Sequence, residues 1–517
     1  MTPRVQPASV TRRVHPAEIG LAALAAIAVA IFVVAGISRP IWQDDANAVL
    51  MARQNFGGML AALRSDNNLP VYYVLLFGWL RVFGESEAAL RSLSAVFYLG
   101  GGAAVYGLGR AVYRSRRVGF YSAVLYLGST QLIGQAQSVR MYTMLGCLAA
   151  VSLLLFCRIF VEGRSSRGAA MAYVLVNSVG VLTQVWFFFA LFGQFLYQAV
   201  GIRRGMRKFL VLTGTSGVIF AAVWGRTLLG QLHNGSTHWL PPFRPGYLID
   251  IWVEFYGGGT SGLLFLLCFL LPILLAMRQR REAVEQLRPA MLLTVLGACT
   301  LAPLAVSIVK PLYFSARYST VALPALAVLL GAILALVAPR SYALAVCSLL
   351  LIVSAAVHIR DRNELPGRDL PPGQSDRTTA EYLVQHAAPG DYVVFTNLAR
   401  PAADYYFRRD GAEGRFTEIT FPEELDRHPG WLDHEAMVRH PDALAAEAAV
   451  TAERLREAVQ QGKRVWVYNG LPGVSDFLKA DLDRSLALAA REKLSGPFHR
   501  ELLRYEARPR LEAPVIQ

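Results

Sequence analysis

Two adjacent carboxylates, Asp44 and Asp45, sit in the run Trp42-Gln43-Asp44-Asp45 directly after a long apolar segment. At a dry, partly buried membrane surface the charged form of a carboxyl group is disfavoured. Such a group can draw the proton from a hydroxyl while that oxygen attacks an electrophile. Two acids that merely hydrate a loop after a helix would be written with the same letters, and the dipeptide alone does not separate the two readings. A third acid opens the run Asp66-Asn67-Asn68-Leu69-Pro70-Val71-Tyr72-Tyr73. Asp66 could share the chemistry of the pair, or it could simply cap a helix expected over 69–83. His233 and His238 have metal-ligand chemistry but no accompanying carboxylate, which favours an ordinary loop.

Membrane helices must position these groups. The chain has 517 residues, of which 54% are hydrophobic and 17% charged, with a mean hydropathy of +0.36. That is too apolar for an ordinary soluble protein of this length. The net charge of +14 is uneven: 29 of the 51 basic and 11 of the 37 acidic residues precede His358, so 22 basic and 26 acidic lie beyond it. Lys and Arg fall in short clusters between apolar runs, the mark of membrane topology and not of a nucleic-acid-binding face. All five cysteines lie inside apolar runs without CxxC spacing, so neither a disulfide framework nor a thiolate metal site is implied.

The apolar runs 19–37, 88–112, 118–133, 141–161, 169–184, 185–200, 209–229, 261–277, 290–309, 321–337 and 342–357 predict a multi-pass α-helical membrane protein with about 11 transmembrane helices. The stretch 169–200 could instead be one kinked element. The first run, preceded by Arg4, Arg12 and Arg13, reads as a transmembrane helix and not as a cleaved leader. With the amino terminus in the cytoplasm, the clusters Arg114/Arg116/Arg117, Arg164/Arg167, Arg203/Arg204/Arg207/Lys208, Arg278/Arg280/Arg281 and Arg340 all fall on the cytoplasmic side. This sidedness requires the shorter run 69–83, with its internal Arg81, to stay outside as a juxtamembrane or re-entrant helix. Residues 1–357 then form the membrane domain, with a first outer loop at 39–87. Residues 358–517 form an extracytoplasmic, soluble α/β domain behind a Pro- and Gly-rich linker at 363–375. Its expected strands are 391–396, 416–421 and 464–468, with helices near 378–386 and 446–460. It carries no GxGxxG, P-loop or nucleophile elbow. The Asp404-Tyr405-Tyr406 and Trp466-Val467-Tyr468 runs read as packing, and the domain is expected to cover the catalytic cavity or help to select an acceptor.

The order of the motifs carries a further implication. An Asp pair follows the first helix, then Asp66 to Tyr73, Phe83-Gly84-Glu85-Ser86-Glu87 leading to Leu90-Arg91, Arg140-Met141-Tyr142, and a late Arg317-Tyr318. This order resembles the GT-C glycosyltransferases, in particular the bacterial relatives of protein O-mannosyltransferases and of the lipid A aminoarabinose transferase. The resemblance is dense over 42–142 and returns at 311–324. It departs at Asp45, usually Glu, at Ser138, where an acid is common, and at Asn68-Leu69-Pro70, where His-Pro-Pro is usual.

The resemblance implies a cell-membrane enzyme that moves a hexosyl or pentosyl unit, with inversion, from a polyprenyl-phosphate carrier to an extracytoplasmic glycan, lipid or protein acceptor. Asp44 would be the base with Asp45 beside it. Asp66, Tyr72, Arg91, Arg140, Tyr142, Lys310, Arg317 and Tyr318 would bind substrate. A phosphate leaving group needs positive charge and hydrogen-bond donors, which Arg140 and Arg317 beside Tyr142 and Tyr318 can offer, although Arg and Tyr are also ordinary interface anchors. The aromatic and polar residues from His233 to Phe255 suit either a sugar ring or an aromatic belt. No cofactor is implied, and a divalent metal is left open. The rivals are a transporter or flippase of lipid-linked saccharides and a family member without catalysis. Spans almost free of acids and His, with acids gathered in the first outer loop, favour the enzyme.

Overall fold

The computed structural model describes residues 15–37, 39–232, 240–279, 287, 290–312, 315–364, 375–427, 440–470, 473–493 and 501–508. The amino-terminal arginines, His233, His238, Arg280, Arg281 and most of the expected linker at 363–375 lie outside the described residues.

The first helix, α1 (Pro16–Ile37), begins with proline, whose missing N–H costs nothing at that position. In its first turn Glu18 pairs with Arg117 at 3.0 Å and with Arg340 at 3.5 Å. Two of the basic clusters therefore meet the start of α1 at one end of the helical bundle. At the other end, three short helices fill the first loop: α2 (Gln43–Arg53), α3 (Phe56–Ser65) and α4 (Pro70–Phe83). Asn55 caps α3 by accepting from the Gly58 N–H, and Pro70 opens α4. Ser86 likewise caps α5 (Glu87–Tyr113).

Among the described residues eight helices are long and apolar enough to cross a membrane: Pro16–Val34, Glu87–Tyr113, Tyr142–Val161, Met206–Gln231, Gly259–Met277, Ala290–Val309, Tyr318–Val337 and Arg340–His358. The other three expected spans are present as shorter pieces. The run 118–133 breaks at Gly128 and Ser129 into Arg116–Leu127 and Thr130–Ala136. The stretch 169–200 is a hairpin, Arg167–Val181 and Phe187–Tyr197, and not one kinked element. A buried polar chain links these helices to Tyr142–Phe156. Tyr173 donates to Gln194, Gln194 to Ser152, and Ser152 to Asn177, at 2.6, 3.0 and 2.6 Å. In an apolar medium such bonds hold helices in register.

The carboxy-terminal part contains a five-stranded sheet: β1 (Tyr392–Phe395), β2 (Thr417–Thr420), β3 (Val465–Asn469), β4 (Ala487–Lys493) and β5 (Glu501–Glu506). The strand order is β2-β1-β3-β5-β4, with β1 parallel to β2 and β3, and β5 antiparallel to β3 and β4. The first three strands lie within a residue or two of their expected positions; β4 and β5 are additional. Alternation along the strands serves two cores. Val393, Phe395, Trp466 and Tyr468 join the same buried cluster as the membrane helices, together with the helices Asp376–His386 and Arg400–Arg409. Val394, Val465 and Val467 face a separate core under Pro441–Gln460 and Ser475–Ser485. The last membrane helix, expected to end at 357, continues to Glu364.

Candidate active site

The segment between α1 and α2 aims the acid pair. Its carbonyls are gathered by Arg91, one turn into α5. The Arg91 guanidinium, only 3% exposed, donates from Nε to Gln137 O at 2.6 Å, from Nη1 to Ile37 O at 3.3 Å and to Arg39 O, and from Nη2 to Pro40 O at 2.9 Å. Four of its five N–H groups are therefore spent on backbone. Gln137 in turn donates to Phe32 O at 2.6 Å, and a methyl group at Gly36 would collide with it. Arg91, expected to bind substrate, is bonded here to the backbone of this segment and to Gln137 O.

The chain so held delivers Asp44 and Asp45 in the first turn of α2, where the helix dipole favours negative charge. The two carboxylates face different surroundings. Asp45 is 3% exposed and accepts from the Val139 N–H at 2.9 Å. Burial pushes its carboxyl up to about 6, against the pull of Arg91, the Val139 N–H and Arg140. Asp44 keeps a quarter of its side chain exposed and lies 3.7 Å from the Arg317 guanidinium. Asp44 is thus the more open of the two acids, and Asp45 lies buried behind it.

Arg140 sits between the acids. Burial works against its charge, but Tyr73, Asp44, Tyr142 and Asp66 around it more than offset that cost, so it stays protonated. Its Nε is buried and has no hydrogen-bond partner among the described residues. Asp66 does not cap α4. It follows α3, and its carboxylate accepts from Asn67 N–H at 2.7 Å and from the Asn68 amide at 2.6 Å. Burial raises its carboxyl above the ordinary range, and Asn67, Asn68 and Arg140 oppose the shift. Arg317 lies 5.7 Å from the Tyr142 ring centre and 5.3 Å from that of Tyr318. Tyr318 stacks on Trp186 at 5.8 Å and meets Tyr142 edge-on at 6.0 Å. Tyr72 and Tyr73 are fully buried and perpendicular to each other, with Tyr72 in the field of Asp45 and Arg140.

The structure thus brings together Asp44, Asp45, Asp66, Tyr72, Arg140, Tyr142, Arg317 and Tyr318. Lys310 donates to Leu232 O at 3.2 Å, and among the described residues no contact links it to this cluster. Among the described residues no group of three or more His, Cys, Asp or Glu side chains is arranged to hold a metal ion. Sequence reasoning missed Glu254 as a support. At the end of the helix Tyr247–Glu254 its carboxylate accepts from the Ala316 N–H at 2.6 Å, fixing the turn that presents Arg317. It also missed Trp186, which lies in a run read only as an apolar span, and gave no role to Tyr73 although it stands in the quoted Asp66 to Tyr73 run.

A helical bundle with an acid-bearing first loop, basic groups at the same end and a mixed sheet beyond the last span makes up a multi-pass helical membrane protein, and its fold is shared with solved structures. The chain is similar to ArnT from Cupriavidus metallidurans in the apo state, with a TM-score of 0.62 and 14% identity, covering 96% of this chain and 100% of that one. It is similar also to the same protein bound to undecaprenyl phosphate, with a TM-score of 0.61 and 14% identity over 95% and 99% of the two chains. No protein-family model matches the sequence, and no curated protein matches it.

Proposed function

We propose that this protein is an inverting glycosyltransferase that takes its sugar from a polyprenyl-phosphate donor at the extracytoplasmic face of the membrane. The observation that carries the reading is the placement of Asp44, a partly exposed carboxylate, against Arg317 at 3.7 Å and within the field of Arg140. One acid that can accept a hydroxyl proton and two cations that can receive a phosphate are what such a transfer requires. The structure of ArnT bound to undecaprenyl phosphate supports a lipid phosphate as the donor's carrier.

In this mechanism the acceptor hydroxyl oxygen bonds to the anomeric carbon from the face opposite the phosphate. Its proton passes to Asp44, and the bond from the anomeric carbon to the phosphate oxygen breaks. The polyprenyl phosphate leaves with the electron pair, its charge held by Arg317 and Arg140. Asp45 and Asp66 keep the electrostatics and the loop in place. About 11 spans with a cytoplasmic amino terminus, and the part after 358 on the outer side, complete the reading. The sugar is a hexose or pentose and the acceptor a glycan, lipid or protein hydroxyl.

The test reconstitutes the purified protein in liposomes with radiolabelled undecaprenyl-phosphate sugars and a crude envelope acceptor fraction. A new glycosidic product that survives the mild acid that cleaves the donor's glycosyl phosphate supports the reading. Label carried across the bilayer with no glycosidic bond formed refutes it.

A further inference from the structure

The segment that delivers Asp44 and Asp45 is gripped from two sides. Arg91 of α5 holds the carbonyls of Ile37, Arg39 and Pro40. The grip on its N–H side comes from beyond the last span: the Tyr406 hydroxyl accepts from the Ile41 N–H at 2.6 Å and donates to Glu87 Oε1 at 2.8 Å. Tyr406 lies in the helix Arg400–Arg409 and is fully buried. Glu87, with only 11% of its side chain exposed, also pairs with Arg409 at 3.5 Å and with Arg377 at 3.6 Å. Beside it the Tyr405 hydroxyl donates to Glu85 O at 2.8 Å. Ile41 stands three residues before Asp44 and is itself 1% exposed. The Ile41 N–H, the Glu87 carboxylate and the Tyr405 and Tyr406 hydroxyls keep these partners only while the carboxy-terminal part is docked on α2 and α5, and a buried hydroxyl, carboxylate or N–H left alone is costly.

We infer that Tyr406 is a positioning residue for the transfer reaction, and that the carboxy-terminal part serves catalysis by clamping the Ile41 backbone and so aiming Asp44, without touching either substrate. The inference rests on the proposed transferase reading. It gives the tail a task that covering the cavity or selecting an acceptor would not include. The physical reason is geometric: a base displaced by about 1 Å can lose about 100-fold in rate while the cations that bind the donor stay where they are. Arg140 and Arg317 lie on other elements, so the cations that bind the donor are not held by the clamp, which reaches them only through the screened Asp44–Arg317 pair.

The experiment compares wild type with Tyr406→Phe and Glu87→Gln in the full chain. It measures transfer kinetics, equilibrium binding of undecaprenyl phosphate, and hydrogen exchange over residues 38–46. Tyr406→Phe keeps the ring and its packing. The expected result is a 10- to 100-fold fall in kcat with donor KM and undecaprenyl phosphate affinity within twofold of wild type, and faster exchange over 38–46. Glu87→Gln, which keeps an oxygen to accept from Tyr406 but drops both ion pairs, should fall between. Wild-type kcat in Tyr406→Phe overturns the inference, and so does an equal loss of donor affinity or unchanged exchange over 38–46. If wild type itself makes no glycosidic bond, the transferase reading fails instead, and the two failures are told apart by the wild-type lane alone.

Discussion

Replacing Asp44 with Asn should weaken chemistry and strengthen donor binding at once. Asp44 and Arg317 lie 3.7 Å apart, each with about a quarter of its side chain exposed. At an effective dielectric constant of 20 their attraction is about 4 kcal/mol before solvent screening. Partly exposed pairs realise only about 1 kcal/mol of such a figure. A phosphate arriving at Arg317 must compete with Asp44 for the guanidinium, so removing the carboxylate should release about 1 kcal/mol to the ligand. Undecaprenyl phosphate should then bind about fivefold more tightly to Asp44→Asn. Transfer should fall by about 100- to 10,000-fold, because an amide cannot take the hydroxyl proton. The assay pairs single-turnover transfer of a radiolabelled sugar with titration of undecaprenyl phosphate in detergent micelles. Near-normal transfer removes Asp44 from the mechanism. Weaker binding shows that Asp44 supports the phosphate and does not compete with it.

Arg317→Met keeps the length of the side chain without its charge, and should raise the Kd for undecaprenyl phosphate by at least about tenfold through loss of a charge-assisted bond; unchanged affinity excludes Arg317 as a phosphate ligand. Because burial lifts the Asp45 carboxyl to about 6, below that pH it is protonated in the native state and above it ionised. If the ionised form is the working one, kcat/KM should climb as pH rises to about 6 and then level off, while folding stability, greatest where both states are protonated, should fall as pH rises through the same window. An acid limb centred near 4, or one that survives in Asp45→Asn, counts against this. Arg91→Met strips four buried hydrogen bonds from backbone carbonyls and should cost about 3 kcal/mol or more, read as faster thermal inactivation, with undecaprenyl phosphate affinity of the folded fraction unchanged. Lost affinity with wild-type thermal stability would return Arg91 to the substrate site.

Much of this architecture was legible because bilayer helices announce themselves by length and apolarity. The long runs ending at 37, 161 and 309 become helices ending at Ile37, Val161 and Val309. The first loop was harder to read. α2 is short and polar and α3 is short with two glycines, and without α3 in view one of the two readings of Asp66 made it the cap of the next helix when it terminates the previous one. Arg91 looked like a ligand because the groups that consume it are backbone carbonyls, which every residue has and no letter reveals. β4 and β5 escaped notice because Ala, Arg, Glu and Lys dominate the first, and their pairing, not their side chains, makes them strands. Asp44, Arg140 and Arg317 are far apart in the sequence, and only three separate helix ends bring them to one place. Resemblance could suggest that meeting, whereas composition could not.

The two-faced sheet bears on how the chain matures. One side of β1 and β3, with Phe395, Trp466 and Tyr468, finds its packing partners in a core continuous with the lipid-embedded helices, while the opposite side is finished within the tail. The last 140 or so residues are therefore half-built until insertion of the preceding segments is complete. Biogenesis acquires an order from this: bilayer assembly comes first, and the carboxy-terminal lobe sets onto it as a casting sets in its mould. A graft of that lobe onto an unrelated anchor would arrive with an aromatic face and nothing to lay it against.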